Sequence, residues 1–363
     1  FAGTAITSLK IPDNVTTIDS GAFAGTAITS LKIPDNVTTI DSGAFAGTAI
    51  TSLKIPDNVT TIGSGAFSNC NSLTSVNFGN GVQTIGNKAF YDCTSLTSFT
   101  IPNSVTTIGE YAFGSCSNLT NVTIGNGVTT VGVYAFSACT KLENVYYTGS
   151  IADWCKTPFS NGDSHPMQYA QNLYIDNKLV TGDIIIPDGV TSIGISVFYY
   201  CTTITSVTIP DSVTSIGYGA FNYCTGIKEI KIPVSVNVSN VFLNCPGIKK
   251  VTLTKGTGEA WDYTSSTYKT TPWYISKDRL KTIVIEDDIT DIGDYTFFDC
   301  SCIEELVIPA SASIGECAFE NCSNIKKVTI TKGLGIMQCS NAWSDSRNVV
   351  TEFVIEDGVT TIG

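Results

Sequence analysis

Residues 1–22 read FAGTAITSLKIPDNVTTIDSGA, residues 23–44 repeat them without a change, and residues 45–66 differ only by Gly63 in place of Asp. Beyond this point the copies diverge, but a Phe keeps returning at a similar spacing, at Phe67, Phe90, Phe113, Phe136, Phe198, Phe221, Phe242, Phe297 and Phe319. Self-similarity at one period of this length indicates a solenoid, in which each repeat contacts only its neighbours. The repeat therefore decides the fold, and chain length is no guide to domain number.

The shape of one repeat can be read from residues 96–116. The alternation of Phe99 and Ile101 predicts a strand, and Pro102 ends it because proline has no N–H to donate. Successive strands are separated by a long return path, so they must stack in parallel with one strand per coil. We therefore expect residues 1–363 to form a single solenoid of stacked coils, a fragment uncapped at both ends. One parallel sheet lines its concave face, and short returning strands with 3₁₀ or helical turns form its convex side.

The repeat can be written L-x-x-V-x-I-P-x-x-V-x-x-I-G-x-x-A-F-x-x-C, and it resembles the BspA-like branch of leucine-rich repeats. Stretches such as AFGSCSNLTNVTIGNGVTTVG (112–132) and VFYYCTTITSVTIPDSVTSIG (197–217) carry the match. The resemblance implies a secreted or cell-surface protein that binds a host protein or glycan, with no enzymatic activity in the repeats. The rival fold is a right-handed parallel β-helix. The A-F-x-x-C segment favours leucine-rich repeats, because it predicts a helical turn where a β-helix has a third strand.

Three insertions interrupt the spacing, at about residues 148–170, 254–278 and 331–348. They hold the single histidine, His165, and all four tryptophans, which are Trp154, Trp261, Trp273 and Trp343. Tryptophan in a loop on a rigid scaffold is typical of binding surfaces. Alternatively, each tryptophan closes an enlarged coil over a small core of its own. Separately, residues 174–180 suggest a small hairpin that turns at Asp176 and Asn177.

Nine of the thirteen cysteines stand three residues after the repeat Phe: Cys70, Cys93, Cys116, Cys139, Cys201, Cys224, Cys245, Cys300 and Cys322. In the first three repeats Thr4, Thr26 and Thr48 take this position. Cysteine and threonine share small size and a hydrogen-bond donor. We therefore interpret the position as a structural ladder of buried free thiols that meets main-chain carbonyls, rather than as a set of disulfides.

The composition narrows the function further. The formal net charge is -12, which disfavours nucleic acid as a partner because phosphate binding needs clustered positive charge. No apolar run reaches the roughly 20 residues of a membrane span, so direct insertion into a membrane is not expected. We expect no metal and no cofactor, because there is no C-x-x-C pair and one histidine. Cys155 and His165 are the one pair that could form a catalytic Cys–His dyad, and of the functions considered this is the least favoured. We therefore expect no enzyme.

The sheet face changes character along the chain. The early strands present a Thr-rich, largely neutral face with Lys10, Lys32 and Lys54, whereas the later strands carry more charge. The predicted binding patch consists of the later lysines and two tryptophans: Lys228, Lys231, Lys249, Lys281, Lys326, Trp261 and Trp273. The predicted function is extracellular or cell-surface adhesion, with a protein or glycan on a host or neighbouring cell as partner. The alternative is a structural stalk, or a component that associates with itself into a surface array or filament.

Overall fold

The computed structural model describes all residues except 158, 161, 235, 237, 239, 256–263, 265–266, 268–270, 272, 333–349, 358 and 360–363. The chain divides into two compact units. The first unit comprises Phe1–Val180 with Ile195–Tyr199, and the second comprises Thr181–Gly194 with Tyr200–Gly363. Each unit is built from coils that stack on one another, and each is described by itself.

The first unit contains thirteen described strands, each of two to four residues. They are β1 (Thr17–Ile18), β2 (Thr39–Ile40), β3 (Ser52–Lys54), β4 (Thr61–Ile62), β5 (Ser75–Asn77), β6 (Thr84–Ile85), β7 (Ser98–Ile101), β8 (Thr107–Ile108), β9 (Asn121–Ile124), β10 (Thr130–Val131), β11 (Asn144–Tyr147), β12 (Asn172–Ile175) and β13 (Lys178–Leu179). The larger sheet has the order β13-β12-β11-β9-β7-β5-β3, and the smaller sheet has the order β1-β2-β4-β6-β8-β10. The larger sheet is formed by the predicted strands and the smaller by the returning Thr-Ile segments. In the two coils before β3, an isolated bridge between Ser8 and Ser30 takes the place of the larger sheet.

The second unit has the same plan. Its described strands are β14 (Gly182–Ile185), β15 (Ser192–Ile193), β16 (Ile204–Thr208), β17 (Ser215–Ile216), β18 (Glu229–Pro233), β19 (Lys250–Thr254), β20 (Thr282–Ile285), β21 (Asp291–Ile292), β22 (Glu305–Pro309), β23 (Ser313–Ile314), β24 (Lys327–Thr331) and β25 (Glu352–Ile355). The main sheet has the order β14-β16-β18-β19-β20-β22-β24-β25, and all its neighbours are parallel. The returning strands form the pairs β15–β17 and β21–β23.

Equivalent residues of successive coils stand in register. Phe99 of β7 pairs with Val122 of β9, and Ile101 pairs with Ile124, and all four side chains are buried. The residues between them face outward, because successive side chains of a strand point to opposite sides. On the return path, the ring of Phe113 stacks between Phe90 and Phe136 at centroid distances of 5.5 and 5.6 Å. No coil can bury these side chains alone, so each depends on its neighbours for its core.

The segment around the repeat Phe refines the expectation of a helical or 3₁₀ turn. Tyr111 and Ser115 flank Phe113 in the left-handed region, with φ of 53° and 61°. These two residues turn the main chain so that Phe113 N–H donates to Ala135 O of the next coil over 2.9 Å. Gly114 N–H still bonds three residues back, to Tyr111 O. Along this segment, one amide N–H bonds to the next coil and the following one bonds within its own turn. The segment therefore forms no helix.

Regular helix is confined to the insertions among the described residues. The single α-helix, α1 (Ile151–Trp154), begins at Ser150, whose hydroxyl accepts from Asp153 N–H while the Asp153 carboxylate accepts from Ser150 N–H. Single 3₁₀ turns span Gly162–Ser164, Pro166–Gln168 and Tyr274–Ser276.

The hairpin prediction is confirmed. Strand β12 pairs with β13 in antiparallel fashion. Asp176 and Asn177 form the two-residue turn with φ of 49° and 56°. Positive φ at both central residues is the geometry that matches the twist of two antiparallel strands.

Candidate functional site

Charged side chains stand in a column at the start of five strands of the second unit. Lys228, Lys249, Lys281, Glu304 and Lys326 each directly precede a strand. The main chain links them in series: each residue after Lys228 donates its N–H to the carbonyl of the one before, over 2.7 to 2.9 Å. Neighbouring parallel strands lie about 4.8 Å apart, so these side chains project from the protein at that spacing. We refer to Lys228, Lys249, Lys281 and Lys326 as the lysine column.

Three members of the lysine column form no ion pair among the described residues. Lys281 Nζ lies 2.6 Å from Glu304 Oε1, and this contact raises the pKa of Lys281 and lowers that of Glu304. No carboxylate of the described part of the chain lies within ion-pair distance of Lys228, Lys249 or Lys326. All three are exposed. The column therefore carries three ammonium groups that an anionic partner could approach.

The adjoining column adds no net positive charge, because it contains three carboxylates and two lysines: Glu229, Lys250, Glu305, Lys327 and Glu352. Lys250 Nζ lies 3.4 Å from Glu229, and Lys327 Nζ lies 3.0 Å from Glu352. Exposed pairs of this kind add little to stability, but each cancels one positive charge. The positive potential of this face therefore comes from the lysine column and not from its neighbour.

Lys231, also predicted to bind, is engaged within the protein. Its Nζ lies 2.6 Å from Glu286 Oε1, two strands further along the sheet. The side chain is half-exposed and its charge is compensated. We therefore place Lys231 at the margin of the candidate site.

Trp273 corrects one expectation. It is fully buried, its ring stacks on Phe297 at 4.6 Å, and its Nε1 donates to Thr296 O over 2.8 Å. Phe297 in turn stacks on Phe319 at 5.3 Å, so the indole continues the line of repeat Phe rings. The indole of Trp273 thus occupies the place that a repeat Phe ring has in other coils. Because it is buried, Trp273 cannot touch a ligand. The other predicted tryptophan, Trp261, lies outside the described residues, as does Trp343.

Trp154 and His165 form the core of the first insertion. Both are fully buried. Trp154 Nε1 donates to Val197 O over 2.9 Å, and His165 Nε2 lies 3.0 Å from the same oxygen. His165 Nδ1 accepts from Met167 N–H over 3.1 Å, so the ring is neutral and its proton is on Nε2. Burial lowers the pKa of His165 to about 3.

This arrangement leaves no Cys–His dyad. Main-chain groups occupy both nitrogens of His165. Cys155 is buried, and desolvation raises its pKa to about 12, so it stays a thiol. A nucleophile needs the thiolate and a base within hydrogen-bond reach. The imidazole and the thiol of this insertion are therefore packing groups.

The nine ladder cysteines are all buried, and every described cysteine is a free thiol. Cys116 Sγ donates to Phe90 O of the previous coil over 3.3 Å, and five others make the equivalent contact at 3.0 to 3.3 Å: Cys70, Cys93, Cys139, Cys245 and Cys322. Threonine at this position behaves differently, since Thr48 Oγ1 donates to Phe45 O of its own coil. Burial raises the pKa of Cys139 to about 12. Hydrogen bonds from these thiols join successive coils. Because the thiols are buried and protonated, they are not reactive groups.

Two further observations concern other kinds of site. No cluster of three or more His, Cys, Asp or Glu side chains suited to a metal ion occurs among the described residues. None of the helices in the described ranges is long and apolar enough to cross a membrane.

Comparison with known proteins gives the family. The model of the BspA type leucine rich repeat region matches in six copies, over residues 1–59, 38–165, 172–268 and 273–363. The chain belongs to the BspA-type leucine-rich-repeat family. The prediction of a leucine-rich-repeat solenoid rather than a β-helix is thereby confirmed. No curated protein matches the chain significantly.

Several solved structures are similar to this BspA-type chain. A leucine-rich repeat protein from Bacteroides ovatus is 25% identical, and the alignment covers 98% of this chain and 96% of that one with a TM-score of 0.51. A leucine rich cell surface protein from Faecalibacterium prausnitzii is 24% identical, with 95% and 74% covered and a TM-score of 0.32. The pneumococcal vaccine antigen PcpA is 15% identical, with 95% and 78% covered and a TM-score of 0.40.

The BspA-type repeat also brings uncharged Tyr and Asn side chains together on the sheet face of the first unit. Tyr146 and Tyr174 pair in register on strands β11 and β12, with ring centroids 4.7 Å apart. Beside them Asn121, Asn144 and Asn172 form a second column. Aligning strand positions across coils would have brought these residues together, because equivalent positions of successive coils are neighbours in space.

Proposed function

We propose that this BspA-type chain is a non-catalytic binding module of the extracellular space or the cell surface, and that its lysine column holds an acidic surface of a protein ligand. The location and the adhesive role are what the family implies. The observation that supports the site is the register of Lys228, Lys249 and Lys326, three exposed lysines without an ion-pair partner in the described residues.

The geometry favours an extended partner. Because the coils repeat about every 4.8 Å, the column presents its charges in a line along the stacking direction, and the paired Lys281 and Glu304 stand within that line. An acidic strand, helix or loop laid along the line meets several ammonium groups at once. Charges of this kind steer association and set its orientation more than they add raw affinity.

Charge complementarity also explains why an acidic partner would bind at the lysine column and not over the whole surface. The chain as a whole carries a formal net charge of -12, so an acidic partner is repelled by most of the surface. A positive line on a negative molecule confines such a partner to lysine-bearing places. Lys10, Lys32 and Lys54 of the first unit form another such line, which the control variant removes. The site therefore contributes specificity as well as attraction.

The test uses immobilised fibronectin, fibrinogen, laminin and collagen as probes, with the chain in solution at low and physiological salt. The triple variant Lys228→Gln/Lys249→Gln/Lys326→Gln is compared with the control Lys10→Gln/Lys32→Gln/Lys54→Gln, which removes three exposed lysines from the first unit. We expect binding to at least one probe, with about tenfold weaker affinity and slower association for the first variant only. Failure of every probe to bind, or equal loss in both variants, would contradict the proposal.

A second candidate is a stalk or self-associating surface component. It is favoured by the uniform packing of the first coils, in which Thr17 pairs with Thr39 as Thr39 pairs with Thr61. Light scattering over a range of concentrations separates the two candidates. A self-associating component grows in mass without ligand, whereas a binding module stays monomeric until ligand is added.

A further inference from the structure

A shallow groove runs along the ends of the strands in the first unit. One depression of about 310 Å³ is lined by Thr123, Tyr146, Tyr147, Thr148, Asp176 and Asn177. A larger one of about 880 Å³ extends from Thr148 towards the coil of Ser75. Thr148 lines both, so the two depressions adjoin at this residue and together reach over several coils. We call the two together the tyrosine groove.

One face of a tyrosine ring is available in this groove. Tyr146 lies in register between Tyr174 on one side and Thr123 on the other. Tyr174 covers one face of the ring, since the two rings are 4.7 Å apart and nearly parallel at 18°. Thr123 is too short to cover the opposite face. The outer part of that face is therefore a flat apolar wall of the groove.

An amide ladder stands beside this ring. Asn172 Nδ2 donates to Asn144 Oδ1 over 2.9 Å, and Asn144 Nδ2 donates to Asn121 Oδ1 over 2.8 Å. These bonds fix the orientation of the amides. They use one N–H and one lone pair of Asn144, and each amide has two of both. The half-buried ladder thus keeps oriented donors and acceptors on the face that carries Tyr146.

The lining of the groove is nearly free of charge. Asp176 is the single charged residue among the described residues that line it. The other polar groups are hydroxyls and amides, such as Ser98, Thr100 and Asn103. This surface differs from the charged sheet of the second unit. It offers nothing to an anionic polymer, which would need cationic groups.

We infer that the tyrosine groove is a binding site for a neutral oligosaccharide, in which one sugar ring stacks on Tyr146 and its hydroxyls bond to the amide ladder and the groove hydroxyls. A sugar ring presents C–H groups on its faces and hydroxyls around its rim. A flat aromatic face with fixed amides beside it complements both. The two adjoining depressions together reach over several coils spaced about 4.8 Å apart, so further sugar units can follow the first from one depression into the next. This site goes beyond the proposed function and shares no residue with the lysine column.

The test is isothermal titration of the whole chain with neutral hexasaccharides: cellohexaose, maltohexaose, laminarihexaose and mannohexaose. A heparin hexasaccharide is the anionic comparison. We expect at least one neutral probe to bind. Tyr146→Ala should weaken it by about tenfold and Tyr146→Phe should retain it, because the phenyl ring still stacks. The matched control is Tyr134→Ala, which removes a ring of the stacked pair Tyr111–Tyr134 in the same unit but outside the groove.

A second measurement does not depend on any variant folding. Amide chemical shifts of the unaltered protein should move on titration with the binding hexasaccharide at residues 121–124, 144–148 and 174–177. The inference is overturned if no neutral probe binds, if only the heparin fragment binds, or if the shifts move elsewhere. It is also overturned if Tyr146→Ala is folded and binds as tightly as the unaltered chain.

Discussion

Trp154 donates a hydrogen bond from its indole Nε1 to the main-chain carbonyl of Val197, which lies 2.9 Å away and four strands later in the chain. His165 Nε2 lies 3.0 Å from the same oxygen. Two buried side chains of the first insertion thus meet at one carbonyl of the first unit, and Ser160 adds a hydrogen bond to Val131 O over 2.7 Å. The aromatic residues of the insertion serve packing, and this determines how the insertion responds to mutation and to pH.

Trp154→Phe should lower the free energy of unfolding by about 2–4 kcal/mol, since it removes a buried hydrogen bond and leaves a cavity. Urea denaturation followed by circular dichroism measures the loss. Tyr218→Phe is the control, because Tyr218 is 61% exposed and its replacement should change stability by less than about 0.5 kcal/mol. Equal midpoints for the two variants would show that the insertion does not contribute to the stability of the unit.

His165 should make the protein less stable in mild acid. Its pKa is about 3 in the folded state and near 6.5 when unfolded, so the unfolded chain binds the extra proton between these values. The contribution is fully present above pH 6.5 and is lost as the pH falls. We expect a decrease of about 2 kcal/mol between pH 7 and pH 5 that His165→Asn lacks. Urea titrations of both proteins at the two pH values decide this, and parallel losses would refute it.

The ladder thiols should resist alkylation in the native protein. Burial raises the pKa of Cys139 and Cys245 to about 12, so almost no thiolate is present at neutral pH. Cys302 and Cys317 are partly exposed and should be the described residues that react first with iodoacetamide. Peptide mass spectrometry after timed labelling measures the order, with urea-unfolded protein as control. Early labelling of the ladder would mean that the coils separate readily.

Gly127→Ala should be costly because the coils approach closely there. A Cβ at Gly127 would lie 1.9 Å from Asn103 O, so the backbone would have to move. We expect a loss of about 2 kcal/mol or more in the free energy of unfolding. Ser104 holds the equivalent position one coil earlier, and its buried hydroxyl has no hydrogen-bond partner in the described structure. Ser104→Ala should therefore be neutral or slightly stabilising, and similar losses at both positions would argue against the close approach.

The periodic features were predictable from sequence because the repeat makes each position a spatial neighbour of its copies. Phe99 and Ile101 alternate as a strand should, and Asp176 and Asn177 have the side chains that a tight hairpin turn favours. The residue two positions before the repeat Phe adopts a left-handed conformation. The sequence indicates this conformation only where that residue is glycine, as at Gly21. Tyr111 adopts the same conformation without any such signal.

The aromatic residues of the insertions could not be assigned in advance. The sequence around Trp273 is as compatible with an exposed ring as with a buried one, and the outcome depends on the Phe stack that the indole joins. The open face of the Tyr146 ring depends on the small size of Thr123, its neighbour in the coil before. Such features arise between coils, so they require the register as well as the residue types.

The uniformity of the first coils has a consequence for how the gene can change. Residues 1–22 and 23–44 are identical, and Phe23 stacks between Phe1 and Phe45 at similar distances of 5.7 and 5.4 Å. A deletion or duplication of 22 residues within this stretch removes or adds a whole coil, and every remaining coil keeps the neighbours it had. Unequal recombination can therefore alter copy number with no compensating substitution. The length of the stack of coils is thus open to selection in steps of about 4.8 Å, independently of the two proposed sites further along the chain.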